Sequence, residues 1–467
     1  MQTTLADSIK DTPRGQEADS ILRSCVHCGF CLATCPTYQL LGDELDSPRG
    51  RIYLMKQMLE GRAVTADTQL HLDRCLTCRS CESTCPSGVQ YGKLLDIGRS
   101  LVEERVGRGP VVALKRYVLR KVLPHRRRFA AVLAVARLVR WLLPAEIRAK
   151  VPTRGKVRAG ATASGEAVGR ASGEAVGRAS REAAGRASGE AVGRASGEAV
   201  GRASGEAVGQ ASGKARGRDS WPARHTRRVL MLEGCVQPVL APEVNGAAAR
   251  VLDRLGISAI RIAAAGCCGA VSHHMSAHED TLRQVRANID ALWPHVSAGA
   301  EAIVMTASAC TAMLTDYGHL LRGDPVYASR AARVSELARD LSEVVLSERQ
   351  RLNPLTVKSG VKVAFQSPCT LQHALKVRGP VETLLAAAGF TLTVVSDSHL
   401  CCGSAGTYSI LQPELSARLL QAKVVALEQG QPDVIATANI GCHTHLRTGT
   451  TLPVRHWVEL LDERLRS

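Results

Sequence analysis

Apolar residues along this chain first keep a helical spacing and later gather into short, strand-like runs. Over about residues 1–104, sequence such as "RGRIYLMKQMLEGRA" reads as helix between clusters of cysteine. Over about residues 105–158, Val, Leu and Ile recur at helical spacing with Arg and Lys between them. "VVALKRYVLRKVLP" and "FAAVLAVARLVRWLLPAEIRAK" therefore predict basic amphipathic helices, broken at Pro124 and Pro144. Beyond about residue 225 the pattern changes. Runs such as "RRVLMLEG" and "VKVAFQSP" read as strands, each followed by a helix-like stretch and a second apolar run.

That later region repeats itself. "RRVLMLEGCVQP" aligns with "VKVAFQSPCTLQ", "SAIRIAAAGCCGA" with "TLTVVSDSHLCCGSAG", and "AIVMTASACTAML" with "VIATANIGCHTHL". The cysteines they carry are offset by 134, 134, 134 and 132 residues between the halves, which chance does not produce. Residues 225–350 and 351–467 are thus two copies of one α/β unit. Before them, an octapeptide "ASGEAVGR" recurs seven times with small variations from Ala163 to Arg218. Gly and Ser in every copy, balanced charge and almost no large apolar side chains leave it too little surface to bury against the entropy of ordering. A period of eight also drifts out of helical register. The expected architecture is multidomain: a mainly helical N-terminal domain (1–104), the basic helical segment (105–158), a disordered low-complexity linker (159–224) and the duplicated α/β units.

Composition narrows the setting. The chain has 467 residues, 45% of them apolar but only 3% aromatic, so aliphatic and Ala-rich packing must fill the cores. The N-terminus, "MQTTLADSIKDTPRGQEADS", has no apolar signal region. The longest uncharged apolar run near the middle, Phe129 to Ala136, falls far short of the roughly 20 residues a spanning helix needs. A cytoplasmic protein, peripheral on the inner face of the cell membrane, is expected. The net charge of +17 is local, because residues 105–158 hold sixteen Lys or Arg against one acid, Glu146. A local basic patch predicts a local anionic partner, either lipid touched through residues 105–158 or another protein, and not a nucleic acid.

Sixteen cysteines in a reducing compartment point to metal rather than disulfides. Cys25, Cys28, Cys31 and Cys35, and again Cys75, Cys78, Cys81 and Cys85, fit C-x2-C-x2-C-x3-C-P. Zinc sites pair two knuckles across a spacer. Three cysteines at successive three-residue steps instead wrap one iron–sulfur cubane, and the fourth, before proline, serves the other cluster. The motifs predict two [4Fe–4S] clusters: one on Cys25, Cys28, Cys31 and Cys85, the other on Cys75, Cys78, Cys81 and Cys35. His27, within the first motif, is expected to face solvent.

The second eight cysteines sit where parallel strands would end, the edge at which open α/β sheets bind cofactors. Cys235, Cys267, Cys268 and Cys310 could form one site and Cys369, Cys401, Cys402 and Cys442 another, or the halves could share one. Glycine after each Cys-Cys pair lets the backbone pass close to a bulky group. One or two further iron–sulfur clusters are the expected occupants. His273, His274, His373, His399, His443 and His445 lie nearby, and none is singled out as a ligand.

The paired Cys-Cys-Gly repeats resemble the cysteine-rich (CCG) domain of heterodisulfide reductases. The order of ferredoxin-like motifs followed by two such domains resembles the iron–sulfur subunits of bacterial glycolate oxidases, as do "CVHCGFCLATCPTYQLLGDELDSPRGRIYLMKQMLEG", "LDRCLTCRSCESTCPSGVQYGKLLDIGR", "FQSPCTLQHAL" and "NIGCHTHL". The octapeptide linker is an insertion relative to that family. A second departure falls at Ala307 and Asn439, which stand where fuller CCG domains carry the first cysteine of a C-x2-C pair. Four cysteines per copy suit an ordinary cubane, a smaller cluster or a vestigial site. The resemblance implies no catalytic residue here. It implies an electron relay from a partner subunit, whose FAD oxidises glycolate to glyoxylate, towards a membrane quinone or other acceptor. No G-x-G-x-x-G opens a helix after a strand in this chain, which agrees with a flavin held elsewhere. The alternatives are the iron–sulfur subunit of a lactate or anaerobic glycerol-3-phosphate dehydrogenase, and a thiol–disulfide enzyme like heterodisulfide reductase.

Overall fold

The computed structural model of the protein describes residues 1–142, 148, 151, 221, 223–352 and 359–466. The expected linker repeat, Ala163–Arg218, and the predicted helix break at Pro144 lie outside these residues.

Three longer helices frame the N-terminal part: Pro13–Ser24, Pro48–Leu59 and Tyr91–Arg105. The first two begin alike. Thr12 and Ser47 cap them by accepting a hydrogen bond from the backbone N–H of Gly15 and Gly50, with Pro at the first helical position, where a missing N–H costs nothing. Their apolar faces meet in a core built around Leu22, Met55, Leu59, Leu72, Leu94 and Leu95. The cysteine loops hang on helix ends. Cys25 terminates Pro13–Ser24, Cys35 starts the short Pro36–Leu41 helix, and Cys85 terminates Ser80–Thr84.

The duplicated region folds into two four-stranded, all-parallel sheets. Strands β1 (Arg227–Met231), β2 (Ile257–Arg261), β3 (Ala302–Met305) and β4 (Ala338–Asp340) run in the order β2-β1-β3-β4. Strands β5 (Lys362–Gln366), β6 (Thr391–Leu392), β7 (Val434–Thr437) and β8 (Val454–His456) repeat that order as β6-β5-β7-β8. Parallel neighbours need crossover helices, and the helix-like stretches supply them: Pro242–Arg254 after β1, His278–Ser297 after β2, Pro413–Glu428 after β6. The six apolar runs read from the sequence are all strands, although "TLTVV" contributes only two residues to β6. The fourth strand of each sheet, three residues long, carries too short an apolar run to stand out. The two units share a core. Val229, Val304, Phe365 and Ala436 of the sheets pack with the Pro242–Arg254 and Trp457–Arg466 helices, and Trp457 is wholly buried there. Arg250 pairs with Asp462 at 2.8 Å across this junction, and His456 Nε2 lies 2.8 Å from the Thr306 carbonyl.

The basic segment forms a helical hairpin, Pro110–Val122 and Arg126–Leu138, broken around Pro124 as its sequence predicts. Arg116 anchors it, donating to the Met275 carbonyl at 3.0 Å. Ten of the nineteen large apolar residues left exposed among the described residues fall between Val111 and Leu142, so the hairpin's apolar side is largely unpartnered here. No helix among the described residues is long and apolar enough to cross a membrane.

Polar latches join the N-terminal part to the repeats: Ser83 to His373 (2.8 Å), Ser100 to His278 (2.9 Å), Tyr408 to the Arg74 carbonyl (3.0 Å) and Asp96 to His273 (3.1 Å). Burial opposes charge on both members of the last pair, but each overrides it for the other. Asp96 is pulled down to about 2 and His273 is raised above the ordinary imidazole range. A lowered carboxyl stabilises above its unfolded pKa and a raised imidazole stabilises below its own, so the latch is strongest between about pH 4 and 6.5. The His273→Gln variant should lower the thermal midpoint by about 2 °C near pH 5.5 and by less near pH 8.5. An equal loss at both pH values would show that the pair holds no charge.

Candidate metal centres

The two N-terminal cysteine loops are built on one backbone plan. Every cysteine of the second lies 50 residues after its counterpart in the first. His27 and Thr77 both take positive φ (56° and 55°), as do Gly29 and Arg79 (86° and 60°). For the non-glycine residues this conformation costs about 1–3 kcal/mol, a strain that persists only where surroundings impose it. The reward is the direction of the amides. A left-handed residue turns neighbouring N–H groups into a concave nest for negative charge. The Thr77 N–H accordingly lies 3.4 Å from the Cys75 sulfur.

The loops exchange one cysteine each. Cys25, Cys28, Cys31 and Cys85 line one pocket together, with Cys81 also on its wall. Cys35, Cys75, Cys78 and Cys81 line a second. None of the sixteen cysteines forms a disulfide. Burial and then neighbouring thiols push Cys31 up to about 11, and burial lifts Cys78 and Cys81 well above the ordinary thiol range. Cys31, Cys78 and Cys81 thus resist ionisation on their own, and a cationic group bound among them would reverse that preference. The donor set is therefore one that fits iron–sulfur ligation, in which Cys25, Cys28, Cys31 and Cys85 would hold one cluster and Cys75, Cys78, Cys81 and Cys35 the other.

The pockets differ in exposure. Cys28 is exposed, and its neighbours Val26 and Phe30 are 66% and 62% accessible, so the first pocket opens at the surface. His27, expected to face solvent, is half-buried, and its Nε2 is enclosed without a hydrogen-bond partner. The second pocket is internal and lies beside a buried cation. Arg51 donates to the His71 carbonyl (2.7 Å), to Thr37 Oγ1 (3.1 Å) and to Asp46 (3.2 Å), and one guanidinium nitrogen stands 4.0 Å from the Cys35 sulfur. Asp46, wholly buried, also accepts from Arg74 at 2.8 Å. Arg99 donates to the carbonyls of Leu72 and Cys75 (2.8 and 2.7 Å), and the Tyr91 hydroxyl lies 3.6 Å from the Cys75 sulfur. None of Arg51, Arg99 and Tyr91 stood out in the sequence. A buried arginine in "SPRGRIYL" looks like any helix-surface arginine until the fold encloses it.

In the repeats each half gathers its own four thiols. Cys235 follows β1, Cys267 and Cys268 follow β2, and Cys310 follows β3. The thiols touch in series, Cys235 to Cys267, Cys267 to Cys268 and Cys268 to Cys310. In the second half Cys369 and Cys401 have sulfurs 3.9 Å apart, and Cys402 contacts both Cys401 and Cys442. Strand order reverses between β1 and β3, and between β5 and β7, and the sites lie outside the carboxyl ends of these strands. Gly403 has φ 86° and its N–H points at the Cys401 sulfur, 3.4 Å away; a Cβ there would fall 2.6 Å from the Ser416 carbonyl oxygen. The halves differ where the family cysteine is replaced. Asn439 donates to the Cys442 sulfur at 3.6 Å, whereas the methyl side chain of Ala307 has no donor to offer Cys310. The nearby histidines are engaged elsewhere: His373 with Ser83 and the His399 carbonyl, His443 with the Val454 carbonyl, His445 with Ser416.

The second repeat's site adjoins the internal pocket of the N-terminal part. Cys78 and Cys369 pack in one apolar cluster with Cys401, Leu76 and Tyr408, and charge on Cys369 helps burial to raise the Cys78 thiol.

Sulfur-lined pockets in sequence, on a helical frame joined to parallel α/β repeats, define an iron–sulfur electron-transfer protein. The family model for the 4Fe-4S dicluster domain matches residues 21–89, and that for the cysteine-rich domain matches residues 229–315 and 363–447. The glycolate oxidase iron-sulfur subunit of Escherichia coli (strain K12) is 50% identical over 465 residues, covering 100% of this chain and 99% of the relative. A probable glycolate oxidase iron-sulfur subunit of Bacillus subtilis (strain 168) is 28% identical over 92% of this chain and 89% of its own. Lactate utilization protein A of an Exiguobacterium strain is 25% identical over 51% of this chain. The chain belongs to the family of glycolate oxidase iron–sulfur subunits.

Crossed sharing predicts crossed damage. Cys85→Ser should disturb the electron-paramagnetic signal of the cluster held mainly by the first motif, and Cys35→Ser that of the second. If each variant disturbs only the cluster of its own motif, the assignment of ligands is wrong.

Proposed function

We propose that this chain relays electrons within a glycolate oxidase, from a partner subunit whose FAD oxidises glycolate to glyoxylate towards a quinone in the membrane. The observation that carries this is the series of thiol pockets: one open at the surface, one internal, and the second repeat's site packed against the internal one. Membership in the glycolate oxidase family supports the substrate, and the lactate-linked relatives align with only about half of the chain. A bound [4Fe–4S] cluster supplies one-electron storage, with a potential set by net charge, hydrogen bonds to sulfur and exposure to water. The protein's own part is to hold sulfur, exclude water and set that charge. Arg51 and Arg99 place positive charge beside the internal pocket, and the Tyr91 hydroxyl and Thr77 N–H point at Cys75. Both features favour the reduced, more negative state there, and so draw electrons inward from the exposed pocket.

Electrons enter, in this reading, where Cys28 is exposed between Val26 and Phe30. They leave near the membrane, which the basic hairpin meets. Leu138 and Trp141 are 79% and 74% accessible, among arginines and lysines that each gain about 1 kcal/mol near an anionic surface. The division into residues 1–104, 105–158, 159–224, 225–350 and 351–467 is the working domain map.

Two measurements test this. In the anaerobically assembled complex, glycolate should bleach the iron–sulfur absorption of this chain, and Phe30→Glu should slow that step about tenfold, since buried charge at a docking face costs more than about 1.4 kcal/mol. Absence of bleaching in the native complex would refute the relay. The protein should also sediment with anionic vesicles and not with neutral ones, and be released as salt screens the attraction. Equal binding to both would remove the hairpin's proposed role.

A further inference from the structure

A cavity of about 470 Å³ lies between the start of the basic hairpin and the second repeat's cysteines. Gly109, Val112, Lys115 and Arg116 of the hairpin line it, as do all four cysteines of the second repeat's site, Cys369, Cys401, Cys402 and Cys442, and Cys75 of the internal pocket. The surface between is mainly apolar, supplied by Leu70, Leu76, Val112, Val271, Ile410 and Leu411. Most charged groups around it are already satisfied. Arg108 is held by Asp73 and Glu103, Arg99 by backbone carbonyls, and Arg116 by the Met275 carbonyl. Lys115 and His274 also face the cavity, and neither makes a hydrogen bond among the described residues. His274 stands 5.5 Å, ring to ring, from the latch residue His273 and is exposed.

These features narrow the ligand. The N–H groups of Arg99, Arg108 and Arg116 are engaged, which leaves Lys115 as the lining cation whose donors meet no partner among the described residues. A flat ring carrying two acceptor oxygens suits apolar walls and two donors on different elements that are unpaired among the described residues, Lys115 on the hairpin and His274 at the end of the Ala270–His274 helix. The mouth adjoins the hairpin whose exposed apolar side would lie in lipid, so a lipid-soluble molecule would reach the cavity without crossing water. We propose that this cavity binds the head group of a quinone, with Lys115 and His274 donating hydrogen bonds to its two carbonyl oxygens. The inference rests on the reading that this chain passes electrons to a membrane acceptor, and adds where the acceptor sits. The balance closes within the complex. Oxidation of glycolate to glyoxylate releases two electrons and two protons, and reduction of the quinone to hydroquinone consumes two of each, the protons reaching the ring oxygens from water at the mouth.

The test uses the complete complex in detergent, so that docking on lipid plays no part. A short-chain benzoquinone bearing a photoreactive azide should label peptides containing residues 66–76, 109–116 or 405–413, and excess unmodified quinone should suppress the label. Labelling confined to partner subunits, or to surfaces of this chain away from the cavity, overturns the proposal. Val112→Trp, which narrows the mouth, should weaken binding of the same quinone in equilibrium dialysis by about tenfold or more, with iron content as the check on folding. A change below about twofold in a variant of full iron content overturns it too; a variant that loses iron leaves the decision to the labelling of the native complex. Glycolate-driven reduction of ferricyanide by the native complex separates this from the broader reading. If ferricyanide is reduced and the cavity is not labelled, only the quinone site fails; if ferricyanide is not reduced, the relay itself fails.

Discussion

Sulfur buried as thiolate is the constraint on which this structure depends. A thiolate withdrawn from water is costly unless a cation lies beside it, and four of them within touching distance repel one another as well. The protein meets the constraint by sharing. Each N-terminal pocket is lined by cysteines of both loops, so neither loop can close its pocket until the other has folded against it. The buried Arg51–Asp46–Arg74 group then ties together the elements that carry the two loops. Left-handed backbone at His27, Thr77 and Arg79 is the local strain accepted to turn amides towards sulfur.

From that shared core the rest follows as support for a path. The duplicated sheets place cysteines at the carboxyl ends of β1–β3 and β5–β7, where an open α/β sheet leaves a crevice. One half, through Cys369 and Cys401, lies against the internal pocket, and the other half's Cys310 is linked to it through the contact of Ser308 with Thr370 at 2.7 Å. Duplication thus gives two similar sites unequal places. Only the second repeat is packed directly on Cys78, and only it retains a side chain, Asn439, that donates to its last sulfur.

Much of this is legible in the sequence. Cysteine spacing at three-residue steps gives the two loops, and the repeated offsets give the two α/β units, because both depend on chemistry carried by short, unambiguous motifs. What the sequence hides depends on contacts made far along the chain. Arg51 and Arg99 are ordinary helical arginines until Asp46 and the carbonyls of Leu72 and Cys75 surround them. The pairing of Asp96 with His273 joins residues 177 apart in the chain. Strands β4 and β8 are too short for their alternation to show, and His27 is drawn inward by a loop conformation that its neighbours impose. The cavity beside Val112 has no signature in the sequence, since separate segments scattered between Ala66 and Cys442 build it.

The central claim is that the exposed and internal pockets are two halves of one conductor, close enough for their occupants to sense each other. Electron paramagnetic resonance of the anaerobic protein, recorded while it is reduced in steps, tests this most directly. The account predicts that the fully reduced spectrum is broadened and split by magnetic interaction, and is not the sum of the spectra of the two singly reduced centres. A fully reduced spectrum that is the simple sum of two independent signals would contradict it.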